Sequence, residues 1–278
     1  MVLAELIDEI IELTIYSAYV KSEKPVSLLL VASPEAGKTK SVLSYQGNQG
    51  LFFLTDCTAS GILEDYQLLL KANEIRHFIF TDLITPISKN VDTRNSLIAF
   101  LNGMVEDGIL EVHTKFNHYS IPLVKPVGMI ACIAPEPLKD NRRHWKNIGF
   151  MSRMIPFSWS YSLDTQAIIN ESIDNEEYHD TQPIILDLPT RLDNKNRAIP
   201  YLDFEAEINL NSELAKKLRE YVELRTDKDN PYGFRMTKQL HTLAKASALK
   251  DKRDSVQVKD IDKIRQLSGF MNMAENEI

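Results

Sequence analysis

At 278 residues and a formal net charge of −7, the chain is long enough for an α/β domain with a smaller appendage and too acidic for a broad nucleic-acid coat. Its two cysteines give no disulfide framework and no zinc cluster, which fits a reducing cytoplasm. No apolar run approaches the roughly twenty residues of a membrane span, and no signal peptide opens the chain, so a soluble cytoplasmic protein is expected.

In chain order, residues 2–22 read as an amphipathic helix, with Leu3, Leu6, Ile7, Ile10, Ile11, Leu13 and Tyr16 at helical spacing. Its polar face carries Glu5, Asp8, Glu9 and Glu12, which argues against a membrane surface and for packing on the neighbouring domain. Val26–Val31 is an apolar run of strand length, suited to a buried parallel strand. Directly after it comes Ala32-Ser33-Pro34-Glu35-Ala36-Gly37-Lys38-Thr39, and a helix is expected from Thr39 to Tyr45. A strand feeding a tight loop into a helix N-terminus points several backbone N–H groups at one spot, where they favour an anion. Lys38 would reach the β- and γ-phosphates of a nucleotide, and the Thr39 hydroxyl would take a place on Mg²⁺. Ser33, Pro34, Glu35, Ala36, Gly37, Lys38, Thr39 and Lys40 are therefore the expected nucleotide contacts. Ala32 replaces the usual first glycine, which a position needing only a small side chain tolerates.

A second strand is expected at Leu51–Leu54 and a helix from Gly61 to Ala72. His77-Phe78-Ile79-Phe80-Thr81-Asp82 is an apolar strand ending in an acid. Behind a phosphate loop such an aspartate serves the metal, so Asp82 joins Thr39 on that side. Thr93–Glu106 forms a helix, and two short strands at residues 108–113 and 119–123 flank Thr114-Lys115-Phe116-Asn117-His118 as a hairpin. A buried strand follows at Val127–Ile133, with Pro135 and Pro137 expected to end it. Arg153 lies beside an apolar helix-to-strand transition, and Pro156–Ser160 is the fifth strand. From Leu163 the pattern changes to helices and polar linkers, which puts a boundary between residues 1–162 and 163–278. Helices are expected at Ser212–Leu224, Thr237–Lys250 and Val258–Phe270.

These parts, in this order, resemble the AAA+ ATPases, closest to the branch of MoxR-type ATPases and minichromosome-maintenance helicases. The resemblance runs from about Val26 to Phe270. Ala32–Thr39 matches Walker A in an alanine-first form, and Phe78–Asp82 matches Walker B. It implies an α/β P-loop core with a parallel sheet, followed by a small helical lid, and it implies ATP and Mg²⁺ as cofactors. Gly149-Phe150-Met151-Ser152-Arg153-Met154 resembles the element that carries the arginine finger, hence Arg153. Gly233-Phe234-Arg235-Met236 resembles the start of the lid helix with the sensor 2 arginine, hence Arg235 as a further nucleotide contact. The hairpin tip, Lys115 and Phe116, would face the pore of a ring, a homo-hexamer in the family. Lys38, Asp82, Arg153 and Arg235 are the catalytic set so implied.

Two positions depart from the pattern. Leu83 stands where the family's catalytic glutamate follows the Walker B aspartate, and Ala134 stands where sensor 1 has a polar residue. Glu106, Asp107 and Glu136 are the carboxylates that could substitute. Two functions follow. One is a ring ATPase that remodels or translocates a protein or a nucleic acid. The other is a nucleotide-gated assembly or regulatory subunit with little hydrolysis, such as a replication accessory of a phage or mobile element. A P-loop kinase or transport ATPase fits the hairpin and helical tail less well.

Overall fold

The computed structural model describes residues 3–108, 111–113, 118–120, 125–175, 182–189, 191–192, 198–199, 205–223 and 233–271. Helix α1 (Leu3–Ser17) leads into β1 (Ser27–Val31) and, through the phosphate loop, α2 (Lys38–Leu43). Then come β2 (Leu51–Leu54), α3 (Ala59–Lys71), β3 (His77–Phe80), a single turn α4 (Ile84–Ile87) and α5 (Val91–Glu106). A hairpin of β4 (Glu111–His113) and β5 (His118–Ser120) precedes β6 (Gly128–Ile133), α6 (Pro135–Asn147), a 3₁₀ turn at Met151–Arg153 and β7 (Met154–Ser158). The rest comprises α7 (Leu163–Asp174), the short pair β8 (Arg191–Leu192) and β9 (Ala198–Ile199), and helices α8 (Ser212–Glu223), α9 (Phe234–Lys250) and α10 (Val258–Ser268).

The five strands β2-β3-β6-β1-β7 form one sheet in that order, and every pairing is parallel. With helices on both faces, the central strands are apolar except for Ser27 and His77 at the starts of β1 and β3, and all five residues of β1 are buried. Side chains alternate between the two faces. Leu28 and Leu30 join the cluster of α1, α9 and α10, whereas Leu29 and Val31 join that of α3 and α5. This α/β architecture fits a P-loop NTPase core.

Two corrections to the expected elements have clear causes. Pro135 and Pro137 do not merely stop β6. They open α6, because proline in a first helical turn lacks only an N–H that would be unpaired there anyway. The fifth strand begins at Met154 and not at Pro156, since residues 154–158 follow β1 in register from Ser27 to Val31.

The expected boundary at 162/163 does not interrupt the packing. Leu240, Leu243, Ile264 and Leu267 of the helical half share one buried cluster with Ile10, Ile11 and Leu13 of α1. Charges reinforce it: Lys250 pairs with Glu9 and Glu12, both at 2.6 Å, and Lys263 with Glu9 at 2.7 Å.

At the other end of the sheet, β3 and β6 approach over a histidine. His77 is fully buried, its Nε2 lies 3.1 Å from the Val26 carbonyl oxygen, and its Nδ1 has no partner. A Cβ on the facing Gly128 would come within 2.2 Å of that ring, so only glycine fits. Burial, with a smaller contribution from neighbouring Arg76, pushes the imidazole pKa down to about 4 against the Val26 hydrogen bond. The unfolded chain thus takes up a proton near pH 6.5 that the folded chain resists until about pH 4. Stability from this group is complete above pH 6.5 and falls as the pH drops through that window. The expected slope is at most about 1.4 kcal/mol per pH unit. Urea unfolding at pH 7, 6 and 5 checks it, and a flat profile would mean His77 is not a neutral buried imidazole.

Candidate nucleotide site

The phosphate loop leaves β1 at its C-terminal end. Ala32 is only 2 % exposed and packs in the core, which explains a small residue there. Glu35 (φ 65°) and Gly37 (φ 80°) are both left-handed, and the Ala36 N–H donates to the Ser33 carbonyl at 3.3 Å. The loop therefore turns back on itself before α2, whose first-turn N–H groups have no partner within the helix. Lys38 folds over the loop, with Nζ donating to the carbonyls of Ala32 and, at 2.8 Å, Ser33. Partial burial lowers the lysine pKa, opposed by the nearby Cys132 and Asp82.

Thr39 and Asp82 meet across the strand ends. The Thr39 hydroxyl donates to the Thr81 carbonyl at 3.3 Å. Asp82 lies just past β3, exposed, and its carboxylate accepts from the Ile84 N–H at 2.9 Å and the Thr85 hydroxyl at 3.2 Å. Leu83 points the other way and is fully buried in the α3/α5 core. Ala134 is the residue that caps α6, with no side-chain hydrogen bond to offer.

Tyr161 is a member of this site that the sequence did not single out. Its hydroxyl donates to the Ala36 carbonyl at 2.9 Å and would sit 3.4 Å from a Cβ on Gly37. It braces the loop from the chain that leaves β7. The only sequence signal was its position just beyond an expected strand.

Arg153 and Arg235 are brought together, but away from Lys38. Arg153 precedes Met154, which is in register with Ser27 at the start of β1. The loop hangs from the far end of that strand, four residue steps or about 13 Å along it. Arg153 donates to the Gly149 carbonyl at 2.6 Å, and Gly149 (φ 72°) holds a left-handed backbone that would strain any other residue there. Arg235, in the first turn of α9, donates to the Ser152 hydroxyl at 2.6 Å. Both arginines converge on Glu106, Arg153 Nε at 3.4 Å and Arg235 at 3.2 Å from the same oxygen, Oε2. Glu106 therefore sits with the arginines. Asp107, 3.9 Å from Lys24, lies at that end too, whereas Glu136 is in the first turn of α6, at the phosphate-loop end of the sheet. The hairpin tip, Lys115 and Phe116, falls outside the described residues.

A lysine ammonium, a threonine hydroxyl, first-turn N–H groups and one exposed carboxylate make a donor set that fits a polyphosphate with a divalent cation. Among the described residues no group of three His, Cys, Asp or Glu could hold a metal alone. No protein-family model matches the sequence, and no curated protein matches it. Among solved structures the chain is similar to one described as a "putative ATPase" from Cytophaga hutchinsonii, at 13 % identity and a TM-score of 0.48, over 92 % of this chain and 78 % of that one. A likeness that slight carries no residue across.

Proposed function

We propose that the chain is an ATP-binding AAA+ protein of the MoxR and minichromosome-maintenance type, acting as a ring ATPase on a protein or nucleic-acid substrate. The observation that carries this reading is the pair Lys38 and Thr39 at the start of α2, facing Thr81-Asp82 just past the end of β3. Lys38 would hold the β- and γ-phosphates. Thr39 and Asp82 would hold Mg²⁺, with the remaining ligands from phosphate oxygens and water. ATP, when bound, supplies the transferable phosphoryl group. Because Arg153 and Arg235 lie at the opposite end of the sheet, they serve the phosphates of a neighbouring copy, which makes each complete site a property of the homo-oligomer.

A second reading, ATP-gated assembly with little hydrolysis, is favoured by Leu83. Its side chain is in the core, so no carboxylate orients water from that position. Loss of a positioned base costs about 10²–10⁴ in rate.

One experiment separates the two: ATP turnover over a protein concentration series, with mass measured at each point with and without ATP·Mg²⁺. Turnover rising with assembly supports the motor, and assembly without turnover supports the gated scaffold. Neither ATP binding nor assembly would end both. Arg153→Ala is expected to keep ATP affinity within about twofold while lowering turnover per subunit about a thousandfold or more, the range of a trans arginine. Loss of binding in the monomer would make Arg153 a residue of its own subunit's site.

A further inference from the structure

Glu106 is surrounded by cations from three separate parts of the chain. Lys24, ahead of β1, donates to Oε1 at 3.1 Å, while Arg153 and Arg235 share Oε2. One oxygen facing two guanidinium groups is poor value for both. Arg153 Nε is buried and has no hydrogen bond, its 3.4 Å approach to Glu106 being an ion pair without the required geometry. Arg235 reaches Glu106 and Ser152 while 41 % exposed. A single carboxylate thus stands where a group with more acceptor oxygens and more charge would satisfy both arginines better.

Burial pushes the Glu106 carboxyl up, but the Lys24 hydrogen bond and the charges of Arg235, Lys24 and Arg153 bring it below the usual range, so it is ionised at neutral pH. Its backbone does not depend on those contacts. Glu106 ends α5, whose inner side, Leu97, Leu101 and Met104, is anchored in the core. The carboxylate can leave the arginines without unfolding the helix that carries it, and Lys24 remains to receive it.

We propose that Glu106 is a displaceable counter-ion: it holds Arg153 and Arg235 side by side, and a phosphate group borne by a second copy of this chain takes its place on them. It is a positioning residue, acting through the arginines. The inference rests on the proposed function for the source of the phosphate, but not for the anion chemistry of the arginine pair.

The test uses tripolyphosphate as probe in the full-length Lys38→Ala chain, where the phosphate loop is disabled, so that binding reports the arginine pair alone. Adding Glu106→Gln removes the competing charge and keeps the shape. Tripolyphosphate affinity should rise about tenfold, the sum of two partly exposed ion pairs. A further Arg235→Ala should reverse the gain. Glu106→Asp keeps the charge but is shorter, and should give a smaller rise, which serves as the readout if the glutamine variant does not fold. An unchanged or weaker affinity in either Glu106 variant would overturn the inference and leave Glu106 as a structural tie. If these affinities rise while the unaltered chain, with Lys38 in place, binds no ATP, the counter-ion stands and the ATPase reading fails.

Discussion

Lys38→Ala is expected to weaken ATP binding at least about a hundredfold, the loss of charge-assisted contacts to phosphate inside a half-buried loop. The reasoning is geometric. Lys38 is the cation at the mouth of the loop, and its ammonium is already partly stripped of water, so a phosphate oxygen gains more from it than from a solvated lysine. Among the described residues its hydrogen bonds go to the loop's own Ala32 and Ser33 carbonyls. The fold should therefore survive, with a melting temperature close to that of the unaltered chain. Calorimetric titration of ATP with Mg²⁺ into both proteins measures it. An alanine variant that keeps its affinity would remove the basis for the nucleotide site.

Asp260→Ala is expected to destabilise the protein by about 3 kcal/mol, because it removes a buried carboxylate from four hydrogen bonds and leaves the half-buried Arg253 with Asp251 as its remaining ion pair. Asp260 is fully buried, yet both carboxylate oxygens are engaged. Arg253 donates to them at 2.8 and 2.6 Å, the Ser247 hydroxyl at 2.7 Å, and the Gln257 N–H at 2.8 Å. The last contact is half of a capping box that starts α10, so the same substitution also frees a helix end. Burial raises this carboxyl, but the Arg253, Gln257 and Ser247 hydrogen bonds outweigh it and hold it below the ordinary aspartate value of 3.8. Its stabilisation is therefore present above that pH and is lost only as pH falls through the lower folded value. Urea unfolding at pH 7 gives the number. Asp260→Asn, which keeps the shape and loses the charge, should fall in the same direction by less. A change under about 1 kcal/mol would mean that α9 and α10 do not depend on this ion pair.

The core and the loop were readable in the sequence because each is tied to residue type. Strands buried on both faces must be continuous apolar runs, and Val26–Val31 and Val127–Ile133 are such runs. A tight strand-to-helix turn needs small residues and a residue tolerant of positive φ, and Ala32, Ala36 and Gly37 supply them. The hairpin was readable from two short strands around a polar tip. Helix α6 was missed since the same prolines that end a strand can start a helix, and only the position of the next residues decides. Helix α7 was not marked out because most of its apolar residues, Leu163, Ile168 and Ile173 among them, are exposed and none is buried, so they form no buried stripe.

The arginine cluster is a different matter. Arg153 and Arg235 were singled out through resemblance, but nothing in their local sequence places them on Glu106. That meeting depends on α5 and the 3₁₀ turn ending, and α9 starting, at one corner of the molecule, which is a property of topology. In the sequence Leu83 is only a departure from the family's glutamate; the structure adds that its apolar side chain is fully buried in the core.

The seam between the two halves of the protein does not follow the order of the chain. Helix α1 is first in sequence, yet its apolar side is covered by α9, one of the last elements. A fragment cut at 162/163 would carry off α9 and α10 with Leu240, Leu243 and Leu267 bared, and would leave Leu6, Ile10 and Leu13 uncovered on the other piece. Both pieces would present apolar surface to water and to each other, prone to stick before either behaved as a domain. For any dissection of this protein, its first helix belongs with its tail.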